Sequence, residues 1–339
     1  TVAEGNREKW TLSMWFKWDW KAGSSYDRLY DAGGDTDILK FNESDSTISW
    51  YSGIYYKTTS MAFRDPSAWY HLVCRYDSTA ASGLAAANRM RMYVNGDEVT
   101  ALTASNNPPE AFETATNNTG VDMVFGGASV SDQNFNGSMS HIHMCDGYSY
   151  APTEFGSVDS TSGIWMINTS PSVSYGTNGF FLRMEDRTNL DLDSGTNAFT
   201  MTTSGTLTAT YDNPSNNFCT LNSVNDNITG VTFANGNNTV TWADTVIHVQ
   251  GTLGMQGGKW YWEVMIGDQG GDYGLCENGR AYQNSPIANY PFYFVTNGGA
   301  ATCTVYDNPR SGSNSSTFTG TSHEIDDIVM IGYDADNGN

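Results

Sequence analysis

The side chains best suited to chemistry in this sequence are aromatic, and they cluster. Trp50-Tyr51-Ser-Gly-Ile-Tyr55-Tyr56 brings four large rings together, with Asn42 and Asp45 just upstream. Sugars bind proteins by stacking apolar ring faces on Trp or Tyr while Asn and Asp take the hydroxyls. Consecutive rings cannot all face one core, so Trp50, Tyr51, Tyr55, Tyr56, Asn42 and Asp45 are the candidate glycan-binding residues. Trp15 and Trp20 are further candidates, and packing between sheets or against neighbouring subunits is the competing reading. Asp31-Ala-Gly-Gly-Asp35-Thr-Asp37 suggests a second chemistry. Loop carboxylates supply the hard oxygen ligands that calcium takes, which makes Asp31, Asp35 and Asp37 candidate metal ligands. Asp191-Leu-Asp193 is another such pair, whereas Asp334-Ala-Asp336-Asn-Gly338 reads better as a hairpin turn. Solvated acidic loops are the plain alternative for all three, and no cofactor is required. His141-Ile-His143 puts two imidazoles on one strand face, half of a metal site with no nameable third ligand. The alternative there is that Met139, His141, His143 and Cys145 form one face of a terminal strand.

The elements that must carry these groups are strands, because the apolar pattern has period two nearly everywhere. Leu12, Met14, Phe16 and Trp18 alternate with Thr11, Ser13, Trp15 and Lys17 over Trp10–Trp18. Tyr70, Leu72, Cys74 and Tyr76 share a face within Trp69–Tyr76. Arg89–Val94 places Met90, Met92 and Val94 inward, with Arg89, Arg91 and Tyr93 outward, and ends at the hairpin signal Asn95-Gly96. Val121–Phe125 and Ser138–Cys145 complete a first set. Only Ser78–Asn88 could be helical, and an Ala-rich loop fits it equally. From Ser157 to about Asn217 the apolar density falls, leaving short strands at Gly179–Met184 and Ala198–Thr203. A second set follows at Val246–Gln250, Lys259–Ile266, Pro291–Val295, Thr302–Tyr306 and Ile325–Tyr333. The expected fold is all-β: two antiparallel β-sandwich, jelly-roll-like domains at 1–156 and 217–339, joined by a polar connector at 157–216. The last domain reads as truncated, and the opening Thr1 as a missing or processed start.

Composition excludes two partner classes. Among 339 residues, 37 are Asp or Glu and 16 are Lys or Arg, a formal charge of −21. No Lys or Arg occurs between Met92 and Leu182, or between Thr188 and Gly258. Such a surface repels phosphate backbones and anionic lipid, so nucleic acid and membrane insertion are not expected. With 39% hydrophobic and 13% aromatic residues the chain holds enough apolar surface for a sizeable core. Five scattered cysteines include no C-x-x-C pair, and Cys74 and Cys145 read as small buried hydrophobes. N-x-[ST] triplets at Asn42, Asn117, Asn136, Asn168, Asn227, Asn237 and Asn314 follow from an Asn-, Ser- and Thr-rich composition.

Trp10-Thr-Leu-Ser-Met-Trp-Phe-Lys-Trp18, Phe63-Arg-Asp-Pro-Ser-Ala-Trp-Tyr-His-Leu-Val73 and Arg91-Met-Tyr-Val-Asn-Gly96 resemble the concanavalin A-like, laminin-G-type jelly roll. Phe135-Asn-Gly-Ser-Met139 through Asp146-Gly147 and Pro152-Thr-Glu-Phe-Gly156 fit its closing strand and exit. Gly251-Thr-Leu-Gly254, Gly258-Lys-Trp-Tyr-Trp-Glu-Val264 and Asp327-Ile-Val-Met-Ile-Gly-Tyr-Asp334 resemble a SPRY-type sandwich. With Gly176-Thr-Asn-Gly-Phe-Phe181 and Asp212–Asn222 between them, the order of parts is similar to large virion-associated proteins of marine tailed phages. That resemblance implies a structural protein at the virion surface, on head or tail, with lectin-like domains. Its partners would be other virion proteins, copies of itself and host surface polysaccharide.

Catalytic patterns are sparse. Fold relatives that cleave β-glucans carry E-x-D-x-x-E on a strand, and Glu324-Ile-Asp326-Asp-Ile-Val329 ends in Val. His323 opens H-E-x-x, but Asp327 stands where a zincin helix needs its second His. There is no G-x-S-x-G and no G-x-G-x-x-G. The expectation is therefore a non-enzymatic virion fibre, spike or decoration protein that adheres to host glycans. A purely architectural decoration protein is the alternative, and a glycan depolymerase the third.

Overall fold

A computed structural model describes residues 3–19, 27–128, 133–224, 230–242, 249–267, 272–275, 292–296, 302–307, 315–319 and 325–337. Trp20, Cys276, His323, Glu324, Asn227, Asn314 and most of the strand expected at 246–250 lie outside the described residues. The chain forms two compact units, 1–224 with 232–241, and 225–231 with 242–339.

The first unit is a sandwich of two six-stranded sheets. In chain order its strands are β1 (Lys9–Trp18), β2 (Asp27–Ala32), β3 (Asp37–Asn42), β4 (Thr47–Ser52), β5 (Tyr55–Thr59), β6 (Tyr70–Asp77) and β7 (Met90–Val94). They are followed by β8 (Asp97–Glu98), β9 (Leu102–Asn106), β10 (Met123–Phe125), β11 (Gly137–Asp146), β12 (Gly156–Val158), β13 (Trp165–Ile167) and β14 (Phe180–Leu182). One sheet runs β14-β11-β1-β6-β7-β8 and the other β10-β2-β3-β4-β5-β9, while β12 and β13 make a small ribbon. Pairing within both large sheets is antiparallel. The alternation read in β1 is the core: Trp10, Leu12, Met14, Phe16 and Trp18 face Leu39, Phe41, Ile48 and Trp50 across the sandwich. Met90, Met92 and Val94 are buried among them. Tyr93 does take the opposite face, but it is buried there rather than exposed.

Three corrections concern local structure. Ser78–Asn88 forms two short 3-10 turns, Ala80–Ser82 and Ala86–Asn88. The period of β11 breaks at a bulge, where Ser13 pairs with His143 but Trp15 pairs with Ser140, and His141 takes a φ of 48°. Met139 thus belongs to the inner face with Ile142 and Met144, not with His143 and Cys145. The polar segment expected as a connector packs as a third layer over the first sheet. Tyr175 and Phe181, with Phe155 from just before the segment, cover Val73, Tyr93 and Cys145 there, and β14 pairs directly with β11.

β15 (Val231–Ala234) and β16 (Thr239–Trp242) form a separate ribbon. In the second unit β17 (Lys259–Met265) pairs antiparallel with β22 (Ile328–Asp334). β18 (Asp272–Leu275), β19 (Phe292–Thr296), β20 (Thr302–Asp307) and β21 (Ser315–Thr319) form an antiparallel four-stranded sheet. No helix among the described residues is long and apolar enough to cross a membrane.

Candidate functional site

The aromatic cluster is a hairpin. β4 and β5 flank Gly53-Ile54, with Gly53 at a φ of 59°, and strand alternation divides the rings between two faces. Trp50 points inward, is 1% exposed and packs edge-on against Trp10 at 5.6 Å. It belongs to the core and is removed from the glycan candidates. Tyr55, half-buried, packs at the sandwich margin with its ring T-shaped against Phe112 at 4.8 Å. Tyr51 and Tyr56 are cross-strand neighbours on the outward face, half-buried, with ring centroids 5.4 Å apart. The Lys40 ammonium lies 5.1 Å from the centre of the Tyr51 ring. The β3 residue opposite Tyr51 is Ile38, and Lys40, which pairs with Ser49, reaches the Tyr51 ring on the diagonal. On the other side of Tyr56 its partner on β9 is Asn106, an exposed amide.

A polar ladder runs beside these rings. The Asn42 amide donates to Thr47 Oγ1 at 2.9 Å and to Ser49 Oγ at 2.8 Å, and Ser49 shares a 2.9 Å hydrogen bond with Thr58. Asp45 is exposed but closes its own turn, accepting from the Thr47 N–H and hydroxyl. The outward face thus joins two half-buried rings to the half-buried Asn42 and Thr58 and the exposed Asn106, set over the buried hydroxyls of Thr47 and Ser49, a combination suited to a sugar.

The acidic loop is organised by a cation already present. Arg28 donates to Asp31 at 2.8 Å and pairs with Asp35, while Gln133 Oε1 accepts from its Nε at 2.7 Å. Asp37 lies elsewhere, wholly buried, accepting from Ser52 at 2.7 Å and from the Thr116 N–H and hydroxyl at 2.6 and 2.7 Å. Burial raises its carboxyl above the ordinary value despite these donors. Asp31, Asp35 and Asp37 therefore do not converge on one point, and a guanidinium satisfies the charge that calcium was expected to meet. Asp193 is likewise structural, holding the N–H groups of Phe181, Gly195 and Phe199. Among the described residues no group of three His, Cys, Asp or Glu side chains is placed to hold a metal ion.

The histidines pack inside the third layer. His143 stacks on Phe181 at 3.9 Å and shares a 3.0 Å hydrogen bond with Tyr175. Burial pushes its imidazole well below the ordinary range, and that of His141 down to about 4. Ser13 Oγ lies 2.8 Å from Nε2 of the third histidine, His71. Trp165 Nε1 donates to His71 Nδ1 at 3.0 Å, so Nδ1 is the acceptor nitrogen and Nε2 carries the proton. Nε2 then donates to Ser13 and cannot take its proton, and both residues are wholly buried. This pair is a packing device and not a nucleophile–base couple. Asp326 sits in the turn before β22 with a φ of 75°, and Val329 lies in the strand, so no second carboxylate joins it at that position.

Sequence comparison bears on the first unit. Residues 2–151 match the family described as the concanavalin A-like lectin/glucanases superfamily. This region has a concanavalin A-like sandwich fold. Its described sheets give that lectin-like domain the antiparallel sandwich the residues 10–18 and 63–96 suggested. A comparison with curated proteins finds no match. Solved structures similar to the chain include a heptameric SAP-like pentraxin from Limulus polyphemus, 11% identical over 52% of this chain and 87% of that one, with a TM-score of 0.34. Domains LG4-5 of the mouse laminin α1 chain are 8% identical over 97% and 68%, with a TM-score of 0.28. Trypanosoma rangeli sialidase, in complex with 2,3-difluoro-KDN, is 14% identical over 44% and 22%, with a TM-score of 0.32. At these values the likenesses carry nothing about ligand or activity.

Proposed function

We propose that the protein is a non-enzymatic glycan-binding protein and that the outward face of β3, β4, β5 and β9 is its binding surface. The observation that carries this is the Tyr51–Tyr56 pair, held side by side on that face next to Asn106 and the Asn42–Ser49–Thr58 ladder. Tyr56 is the principal stacking ring, because Tyr51 already has the Lys40 ammonium 5.1 Å from its ring centre. Nothing on this face pairs two free carboxylates, and Asp31, the acid in the same cross-strand row, is held by Arg28. The reading extends to a tailed-phage virion, as fibre, spike or surface decoration, on the order of laminin-G-like, connector and SPRY-like segments in the sequence. Several copies on one particle would raise avidity without any new contact, which suits a shallow site.

The test is a glycan array probed with the full chain, wild type against Tyr56→Ala and Tyr51→Ala. Loss of a stacked ring costs about 0.5–1.5 kcal/mol beyond burial, so each variant should bind a few-fold to about tenfold more weakly, Tyr56→Ala the more so. Circular dichroism of both variants should match wild type. Unchanged binding, or no binding by wild type, would favour the purely architectural reading. Release of reducing sugar from host polysaccharide would favour a depolymerase.

A further inference from the structure

Lys17 projects from the outward face of β1, the third strand of its sheet, yet it is 1% exposed. Its Nζ lies 2.8 Å from Asp212 Oδ2, 2.9 Å from Asn217 Oδ1 and 2.9 Å from the Phe218 carbonyl. Asp212 is fixed in turn, since its Oδ1 accepts from Trp69 Nε1 at 2.9 Å and from the Phe218 N–H at 3.0 Å. The Asn217 amide is oriented by donation from Nδ2 to the Ser67 carbonyl at 2.7 Å. A carbonyl carbon sits about 1.2 Å from its oxygen, which puts Asn217 Cγ within about 4 Å of the lysine nitrogen. Reacting atoms in a near-attack arrangement stand about 3–3.5 Å apart, so a small rotation of the Asn217 side chain about Cα–Cβ closes the gap. A buried amine, a carboxamide and a carboxylate able to move protons between them are the full set needed for amide exchange.

We propose that Lys17 and Asn217 join in an intramolecular isopeptide bond, with Asp212 as the proton carrier. A proton passes from Nζ to Asp212 Oδ2, 2.8 Å away, and leaves a free amine. The side chain of Asn217, which is exposed at this margin, rotates about Cα–Cβ to bring Cγ up to Nζ and about Cβ–Cγ to turn the face of its carbonyl to the amine. Nζ adds to Cγ, the Nζ–Cγ bond forms, and the carbonyl electrons move to Oδ1. Asp212 delivers a proton to Nδ2 and receives one from Nζ. The carbonyl re-forms as the Cγ–Nδ2 bond breaks, ammonia leaves, and it takes up the proton remaining on Asp212 to enter solvent as ammonium. No oxidant, metal or cofactor enters the balance. Asp19, at the end of the same strand and close enough to sense both Lys17 and Asp212, is a second carboxylate beside the reacting pair. The product ties β1 to a segment 200 residues further along the chain.

Intact-mass measurement of the folded full chain tests this directly. Wild type should be lighter than its sequence by one ammonia, and Lys17→Arg and Asn217→Ala should each have the sequence mass. Asn217→Ala removes an exposed side chain, and its circular dichroism confirms that the fold survives. Peptide mapping of wild type should yield one branched peptide holding Lys17 and Asn217. That peptide should resist hydroxylamine, which opens the succinimides that Asn-Gly steps form with the same mass loss. A full sequence mass after prolonged incubation of folded wild type, with Lys17 and Asn217 in separate peptides, would overturn the proposal and leave an ion-paired ammonium. Persistence of the mass loss in Asn217→Ala would overturn it equally.

Discussion

Lowering the pH from 8 to 5 should weaken the first unit through His71, by an amount that its surroundings set. The imidazole is wholly buried, stacked on Trp15 at 4.8 Å, and bonded in its neutral form to Trp165 and Ser13. Burial pushes it from 6.5 down to about 3. A group whose folded value is depressed in this way gives stability that is complete above 6.5 and is lost as pH falls towards 3, because only the unfolded chain takes up the proton. Between pH 6.5 and pH 5 the folded ring stays neutral, so the loss at pH 5 is about 1.5 pH units at about 1.4 kcal/mol each, or about 2 kcal/mol. Other groups titrate over the same range, and a comparison with His71→Gln removes them. Each protein is unfolded in urea at pH 8 and pH 5, followed by tryptophan fluorescence, and only the pH-dependent part is compared. Wild type should lose about 2 kcal/mol more than the variant on acidification. A difference near zero, or an NMR titration of the folded His71 ring centred near 6.5, would refute the hydrogen-bond assignment and the burial argument together.

Met92, 1% exposed between the sheets, should cost about 2–5 kcal/mol as Met92→Ala, read from the urea midpoint; a loss under 1 kcal/mol would mean that the core relaxes around the cavity. Asp19 is pushed up to about 7 by burial, so the folded state retains a proton that the unfolded chain releases, and stability falls as pH rises from 4 through 7. Asp19→Asn should therefore gain on wild type across that interval, and a pH-independent difference between the two would contradict it. Gly179 leaves no room for a side chain, since a Cβ there would sit 1.9 Å from the Tyr175 carbonyl and 2.4 Å from that of Met144. Gly179→Ala should strip β14 from β11, seen as accelerated hydrogen exchange at Phe180–Leu182 with the β1–β6 pairing still protected.

The first sheet was legible because β1, β6 and β7 each present an unbroken apolar face, Leu12-x-Met14-x-Phe16 being the clearest. Most of the second sheet was not, because its inward positions include Asp27, Asp37 and Ser52, which blur the period-two signal in β2, β3 and β4. For the same reason Trp50–Tyr56 read as an exposed run, although Ser-Gly between two alternating ring pairs was the hairpin signal. Alternation tells which side of a sheet a residue takes but not what covers that side. Trp15 and Tyr93 fell on the outward face as their positions suggest, and are buried there by residues more than fifty positions away. The bulge at His141 inserts a single residue, and nothing in Ser140-His-Ile-His143 marks it. Arg28, which answers the Asp31–Asp35 charge, lies only three residues before Asp31, and its spacing was the available clue.

Both large sheets finish in strands that offer little to a passing chain. The first is closed on one side by the three-residue β14 and on the other by the two-residue β8, whose Asp97 and Glu98 are both exposed. The second ends in the three-residue β10 and in β9, where Thr103, Ala104, Ser105 and Asn106 present no large apolar surface. A free sheet margin invites backbone pairing from outside, and short or charged margins deny it a template long enough to hold. Together with like-charge repulsion at −21, this should let many copies sit shoulder to shoulder, or remain concentrated in solution, without fusing into fibrils.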